Sequence, residues 1–201
     1  EALFITCSDS RVVPSLITAT DPGDLFIMRN VGNIIPPYDP ADRDNAEAAA
    51  IEYALTVLQV RDIVICGHSS CGAMKAAQTP EKLEGTQVRS WLRHVDPALR
   101  RLQEKEEEEK AASPLLRPGR ERTRTDILSE CNVLVQLRHI ESHPAAKERL
   151  EKGTLQMHAW FFEIDSAQLS SYSPADGQFM PIERYVLPPA ADVTQLVRRS
   201  A

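Results

Sequence analysis

Short apolar runs alternate with stretches of helical periodicity along the first half of the chain. The runs at residues 3–7, 25–29 and 62–66 are apolar and contain β-branched side chains, which predicts buried strands. Helices are predicted at residues 15–19 and 46–59, and a further helix follows the third strand. Strand, helix, strand, helix is typical of a parallel sheet with helices on both faces.

The second half of the sequence is mostly helical until it returns to strands. Helices are predicted at residues 90–112 and 125–143, and Pro144 begins another. Residues 155–164 predict a strand that turns back at 169–172. The predicted fold class is therefore α/β: a mostly parallel β-sheet flanked by helices on both faces, with an additional C-terminal antiparallel edge hairpin.

The 201 residues predict a single domain over residues 1–187, followed by a polar tail at 188–201. Residues 113–120, with two prolines and a glycine, predict a loop. Glu1 is not an initiator methionine, so we expect further residues upstream.

Charge and hydropathy exclude two classes of partner. The 23 basic and 29 acidic residues give a net charge of −6, without a basic stripe for non-specific nucleic-acid binding. The apolar runs are too short to cross a bilayer, so no membrane span is predicted. The charged run at residues 104–110 predicts a solvated helix end, with an acidic patch for a partner as the alternative.

Two polar loops carry the candidate chemistry, because each follows a predicted strand. One loop holds Cys7, Asp9 and Arg11, and the other holds His68 and Cys71. The carboxyl ends of parallel strands share one edge of a sheet, so the two loops are expected to meet. Two thiolates and one imidazole favour zinc, and three protein ligands leave the fourth position that catalytic sites keep open.

The other cysteines and the remaining histidines are interpreted as structural. Four cysteines are too few for a disulfide scaffold in a chain of this size. Cys66 and Cys131 are predicted to be buried core residues. Surface or packing roles are predicted for His94, His139 and His143, with a role of one of them as a proton shuttle left open. His158 is predicted to be packed in its strand, with a role near the cleft as the alternative.

The two loops together resemble a known enzyme family. Residues 7–11, Cys-Ser-Asp-Ser-Arg, and residues 67–72, Gly-His-Ser-Ser-Cys-Gly, closely resemble the two signature motifs of β-class carbonic anhydrases. Further matches lie at residues 22–24, 29–33 and 51–54. The resemblance is tight over residues 3–77 and continues more loosely to about residue 164.

The resemblance implies a role for each motif residue. Cys7, His68 and Cys71 are expected to ligate one Zn²⁺ ion per chain, beside a pair formed by Asp9 and Arg11. The implied reaction is the reversible hydration of CO₂ to bicarbonate and a proton by zinc-bound hydroxide. Asp9 is then expected to accept the hydrogen bond of that hydroxide, while Arg11 holds Asp9.

The resemblance also implies a substrate pocket and an assembly. Phe26, Tyr53 and Gly72 are expected to line a small CO₂ pocket. The family forms dimers or larger homo-oligomers with the cleft between subunits, and its helical arm and substrate-positioning glutamine fall upstream of Glu1. The expected location is the cytoplasm, including the interior of a CO₂-concentrating compartment.

One departure from the family indicates the subtype. Some members close the site by placing the aspartate on zinc, and they bind bicarbonate in a regulatory pocket of Trp, Arg and Tyr. The matching positions here are Phe4, Arg29 and Phe162. Because neither phenylalanine can donate a hydrogen bond, the open form is predicted, with Asp9 paired to Arg11 near neutral pH.

Two alternatives remain open at this point. The chain is either a CO₂-hydrating enzyme or a non-catalytic, zinc-stabilised scaffold subunit, and the presence of Asp9 and Arg11 favours the enzyme. Within enzymes, the same hydroxide is also able to hydrolyse a CO₂ analogue such as COS or CS₂. Access to the pocket decides between these substrates.

Overall fold

The structure is a computed structural model that describes residues 1–111 and 122–182. The predicted loop at 113–120 and the predicted tail at 188–201 lie outside the described residues.

Six strands form one sheet in the order β2-β1-β3-β4-β5-β6. The strands are β1 (Ala2–Cys7), β2 (Leu25–Asn30), β3 (Asp62–His68), β4 (Gln156–Glu163), β5 (Gln168–Ser173) and β6 (Gln178–Pro181). The first four strands are parallel to their neighbours, and β5 and β6 add antiparallel strands at one edge. The predicted fold class is confirmed, although the sequence analysis did not predict β6.

Seven α-helices connect and cover the strands in the described part of the chain. They are α1 (Pro14–Thr18), α2 (Ala46–Thr56), α3 (Gly72–Ala77), α4 (Gln87–Leu92), α5 (Asp96–Ala111), α6 (Arg124–Glu141) and α7 (Pro144–Glu151). The prediction of one helix over residues 90–112 is wrong, because the short 3-10 helix Arg93–Val95 separates α4 from α5. Pro97 explains the break, since proline fits the first turn of a helix and not its interior.

The sheet is buried on both faces, which is why its strands are continuous apolar runs. Leu3 and Ile5 of β1 pack on the face that α2 and α6 cover. Phe4 points to the opposite face and packs with Phe162 in a separate cluster that also contains Cys66. Alternation along each strand therefore supplies apolar side chains to two cores.

A third apolar cluster joins α3, α4, α5 and α6 beyond the carboxyl end of the sheet. It contains Met74, Leu92, Leu102 and Cys131, all of them buried. Cys66 and Cys131 are fully buried and free, which confirms their predicted core roles.

The strand order brings the two predicted loops together. From β1 the chain turns to β2 on one side, and it later returns to β3 on the other side of β1. Such a reversal opens a crevice at the carboxyl ends of the two central strands. Cys7 ends β1 and His68 ends β3, so both lie at this crevice.

No helix in the described ranges combines the length and the apolar character that crossing a bilayer requires.

Candidate metal centre

The three predicted ligands form one cluster at the crevice. The ligand atoms of Cys7, His68 and Cys71 all lie within 4.8 Å of one another. All three residues are buried, and the two cysteines contribute to the apolar cluster around α3. Residues that are far apart in the sequence thus present two sulfur atoms and one nitrogen to a common point.

The imidazole of His68 is oriented for metal binding. Its Nδ1 lies 2.9 Å from the carbonyl oxygen of Ser69, so the Nδ1–H donates there and Nε2 carries the lone pair. That Nε2 is buried and has no hydrogen-bond partner in the described part of the chain. A buried nitrogen without a partner is costly unless a ligand satisfies it, and a metal ion fits this donor set.

The interaction between the two cysteine side chains favours the thiolate form of one of them. The hydrogen bond from Cys71 lowers the pKa of Cys7 well below the usual range of a thiol, against the opposing effect of burial. The same hydrogen bond with Cys7, together with burial, raises the pKa of Cys71. Because metals bind the thiolate form, Cys7 is already in its ligating state at neutral pH.

Close packing between β3 and α6 positions His68. A Cβ atom on Gly67 would lie 2.7 Å from Cγ2 of Val133 and 3.0 Å from Oγ of Ser129. Only glycine therefore lets α6 approach the strand at the residue before the ligand.

The loop between His68 and Cys71 is held by residues distant in sequence. The backbone N–H of Ser69 donates to Phe162 O at 3.0 Å, and that of Ser70 donates to Asp126 Oδ1 at 2.7 Å. Asp126 also closes a capping box with Thr123 at the start of α6. The sequence analysis missed Asp126, although Thr-x-x-Asp before an apolar run is a recognisable capping signature.

Asp9 and Arg11 form the expected pair beside the ligands. The Nε of Arg11 donates to Oδ1 of Asp9 at 2.9 Å, and Nη2 donates to Oδ2 at 2.7 Å. The backbone N–H of Arg11 also donates to Oδ1 at 3.0 Å. These hydrogen bonds hold the pKa of Asp9 well below its usual range, so the carboxylate stays ionised at neutral pH.

Arg29 fixes the backbone of the same loop. Its Nε donates to Cys7 O at 3.1 Å, and its Nη2 donates to Asp9 O at 2.7 Å. Both contacts go to carbonyl groups of the loop that carries one ligand and the carboxylate. Arg29 therefore holds the loop of Cys7 and Asp9 in position.

Of the three predicted pocket residues, only Gly72 lies beside its own chain's ligands. Gly72 follows Cys71 as the first residue of α3. Phe26 pairs with Leu3 in the strand register, near the amino end of β2 and away from Cys7. The rings of Phe26 and Tyr53 are 5.9 Å apart, and Tyr53 is 48% exposed.

Three of the remaining histidines have packing roles, as predicted. The ring of His139 bonds to Ile35 O at 2.7 Å, and that of His143 bonds to Pro36 O at 3.1 Å. His158 lies near the amino end of β4, where its Nε2 is 2.8 Å from Oδ1 of Asp62. None of these contacts involves the metal-ligand cluster.

Comparison with known proteins agrees with this geometry. The family model described as carbonic anhydrase matches residues 2–169. A carbonic anhydrase of Pseudomonas aeruginosa is 39% identical over 186 residues, which cover 92% of this chain and 79% of that protein. The solved structure of the β-carbonic anhydrase CcaA has a TM-score of 0.79 and 37% identity, and the match covers 90% of this chain and 83% of that one.

The chain belongs to the β-carbonic anhydrase family.

A second solved structure adds a relative with a stated assembly. It belongs to a study of two tetrameric β-carbonic anhydrases from Sordaria macrospora. The TM-score is 0.69 with 30% identity, and the match covers 86% of this chain and 80% of that one. Family membership identifies this chain as a carbonic anhydrase, a lyase, and its Cys-His-Cys cluster supports CO₂ hydration.

Proposed function

We propose that this β-carbonic anhydrase hydrates CO₂ reversibly with one Zn²⁺ ion held by Cys7, His68 and Cys71. The observation that carries the proposal is the buried Nε2 of His68, which lacks a partner in the described residues and lies within 4.8 Å of both ligand sulfur atoms. Sulfur and imidazole ligands in this ratio match zinc better than the harder Mg²⁺ or Ca²⁺.

When bound, zinc supplies Lewis acidity that lowers the pKa of a water molecule toward neutrality, so that hydroxide is available to attack CO₂. Asp9 orients the reaction. In the zinc-loaded enzyme, its ionised carboxylate would accept a hydrogen bond from the hydroxide and would turn the oxygen lone pair toward the carbon of CO₂.

Arg11 keeps Asp9 in its catalytic state. Two guanidinium nitrogens bind both carboxylate oxygens, so Asp9 has a fixed orientation and little tendency to take up a proton. A protonated Asp9 would lose an acceptor site and would orient the hydroxide poorly. Arg11 is therefore a positioning residue in the proposed mechanism.

We also propose the open-site subtype, which the same contacts support. Asp9 is bound to Arg11, while Phe4 and Phe162 belong to one apolar cluster and have no donor in their own side chains. Arg29 is engaged by the loop backbone. A regulatory bicarbonate pocket would need donors that the two phenylalanines lack. A crystal structure near neutral pH with Asp9 on the metal would contradict the open form.

Phe26 and Tyr53 are proposed to line the substrate pocket of a second copy of the chain. Their rings lie together, away from their own ligands, and the neighbouring Ile27 is 40% exposed. A homodimer or larger oligomer would place such residues at the cleft of the partner. Tyr53→Ala is expected to lower kcat/KM without zinc loss, and light scattering checks the assembly. A fully active monomer would contradict this arrangement.

A reducing location suits the ligand set. All four cysteines are free, and a thiolate ligand would be consumed by oxidation. We therefore place the enzyme in the cytoplasm, including the interior of a CO₂-concentrating compartment.

Stopped-flow CO₂ hydration combined with metal analysis tests the proposed function. Cys71→Ala is expected to lose both zinc and activity. Asp9→Ala is expected to keep zinc and to lose rate by about 100-fold or more, the usual cost of removing one positioned hydrogen-bonding group from an active site. One zinc per chain with no hydration above background would instead favour the scaffold, and turnover of COS or CS₂ alone would favour the analogue hydrolase.

A further inference from the structure

A basic cavity lies between α5 and α6, apart from the metal centre. Its volume is about 260 Å³, and its lining includes Arg100, Arg101 and Glu104 of α5 and Arg138 and His139 of α6. Three guanidinium groups against one carboxylate leave an excess of two positive charges. This excess stands out in a chain whose net charge is −6. We call this basic cavity the α5–α6 cavity.

Glu104 is the one carboxylate among the described lining residues, so the three arginines of the α5–α6 cavity are only partly balanced there. Within the described ranges, Arg100, Arg101 and Arg138 have neither an ion pair nor a hydrogen bond to an acceptor, and the Nε of Arg101 is buried without a partner. Arg100 and Arg138 are exposed, so the free-energy cost of holding a cation partly out of water falls on Arg101. A bound anion would recover that cost through the terminal guanidinium nitrogens.

A second basic depression shows what a compensated surface looks like. It has a volume of about 740 Å³ and includes Arg61, Arg149 and Lys152 in its lining. There Arg149 donates to the carbonyl oxygen of Leu55 at 3.1 Å, and Lys152 is paired with Glu148. Two of its three cations are therefore satisfied by the protein itself, unlike those of the α5–α6 cavity.

We propose that the α5–α6 cavity is a binding site for a small phosphate-type oxyanion, either inorganic phosphate or the phosphate group of a small monoester. Phosphate carries about 1.5 to 2 negative charges near neutral pH, which is close to the excess of two positive charges in the described lining. Arginine binds such oxygens with paired N–H donors. The volume of the cavity admits a single group of this size.

Calorimetric titration of the zinc-loaded protein with inorganic phosphate, at ionic strength matched with NaCl, tests the site. Saturable binding is expected. Arg100→Ala and Arg138→Ala should each weaken it about tenfold or more, since each removes a charge-assisted hydrogen bond. Both side chains are exposed, so neither change threatens the fold. Arg61→Ala, in the larger depression, is the matched control and should leave the affinity unchanged.

The variants also separate this site from the metal centre, where an anion can bind to zinc. Phosphate bound at zinc would be insensitive to Arg100→Ala and Arg138→Ala, and that result would overturn the proposal. Absence of saturable binding, or weakening by Arg61→Ala alone, would overturn it as well. Repeating the titration with glycerol phosphate identifies the source: tighter binding of the ester assigns a phosphate monoester, and tighter binding of the free ion assigns inorganic phosphate.

Discussion

The two ends of the parallel sheet differ in what satisfies their polar groups. At the carboxyl end, His68 finishes β3 with a buried Nε2 that has no partner among the described residues. At the amino end of the same strand, Asp62 accepts a hydrogen bond from His158 at 2.8 Å. One strand thus carries a polar group that awaits a ligand and another that the protein already satisfies.

The difference shows where binding energy is available. Arg149, at the amino end, donates to the carbonyl oxygens of Leu55 and Thr154, which ties α2 to α7 and the start of β4. Such contacts stabilise the fold and leave little for a ligand to gain. At the carboxyl end, the Nε2 of His68 in the cluster with Cys7 and Cys71 has no such contact among the described residues.

Exchanging the two histidines for alanine tests this contrast with the largest expected effect. His68→Ala should lower zinc affinity by more than about 100-fold, because losing a direct ligand costs more than losing a residue that only hydrogen-bonds to a ligand. The rate of CO₂ hydration should fall to background. His158→Ala breaks a half-exposed pair worth at most about 1 kcal/mol and should keep zinc and rate. Metal content after dialysis and stopped-flow rates measure both. Equal zinc loss in the two variants would contradict the contrast.

Substitutions at the two glycines that flank the ligand loop distinguish an effect on core packing from an effect on the substrate pocket. Gly67→Ala forces a Cβ to 2.7 Å from Val133 and should lower the free energy of unfolding by about 1–3 kcal/mol, with displacement of His68. At Gly72 an added Cβ has no heavy atom within 4 Å, so Gly72→Ala should keep the stability. It should nevertheless lower kcat/KM if the residue lines the pocket. Urea denaturation and kinetics distinguish the two, and unchanged kinetics would remove Gly72 from the pocket.

At the amino end, Arg149→Ala should affect stability alone. The variant leaves carbonyl oxygens of Leu55 and Thr154 without their donors, which is expected to cost about 1–2 kcal/mol in the free energy of unfolding. Zinc content and the hydration rate should stay at the wild-type level, with Arg61→Ala as the control for charge removal. A loss of rate at unchanged stability would show that this end of the sheet contributes to catalysis.

The smallest effect concerns pH and the loop that follows β2. Burial lowers the pKa of both His139 and His143. In their neutral forms the two rings are hydrogen-bonded to the carbonyl oxygens of Ile35 and Pro36. The unfolded chain therefore binds more protons in acid, so stability is complete above pH about 6.5 and falls as the pH drops below it. His143→Gln should reduce that slope in urea denaturation. An unchanged slope would show that the ring does not titrate with unfolding.

Much of the metal centre was predictable because its signals are local. Cys7 and His68 each end an apolar run, and parallel strands place such ends at one edge. The wrong helix over residues 90–112 had a local signal too, since Pro97 marks the start of α5. Strand β6 was missed because Gln178–Pro181 is short, contains a proline and has one buried side chain.

The sequence by itself determined the α/β class, the three candidate ligands and the pair of Asp9 and Arg11, because strand periodicity and motif spacing act over a few residues. Tertiary structure alone decided that Asp126 holds the ligand loop across 56 positions of sequence. It also placed Phe26 away from its own candidate metal centre and brought three arginines of α5 and α6 together around one cavity. These features depend on which helix packs against which strand, and the local pattern carries no such information.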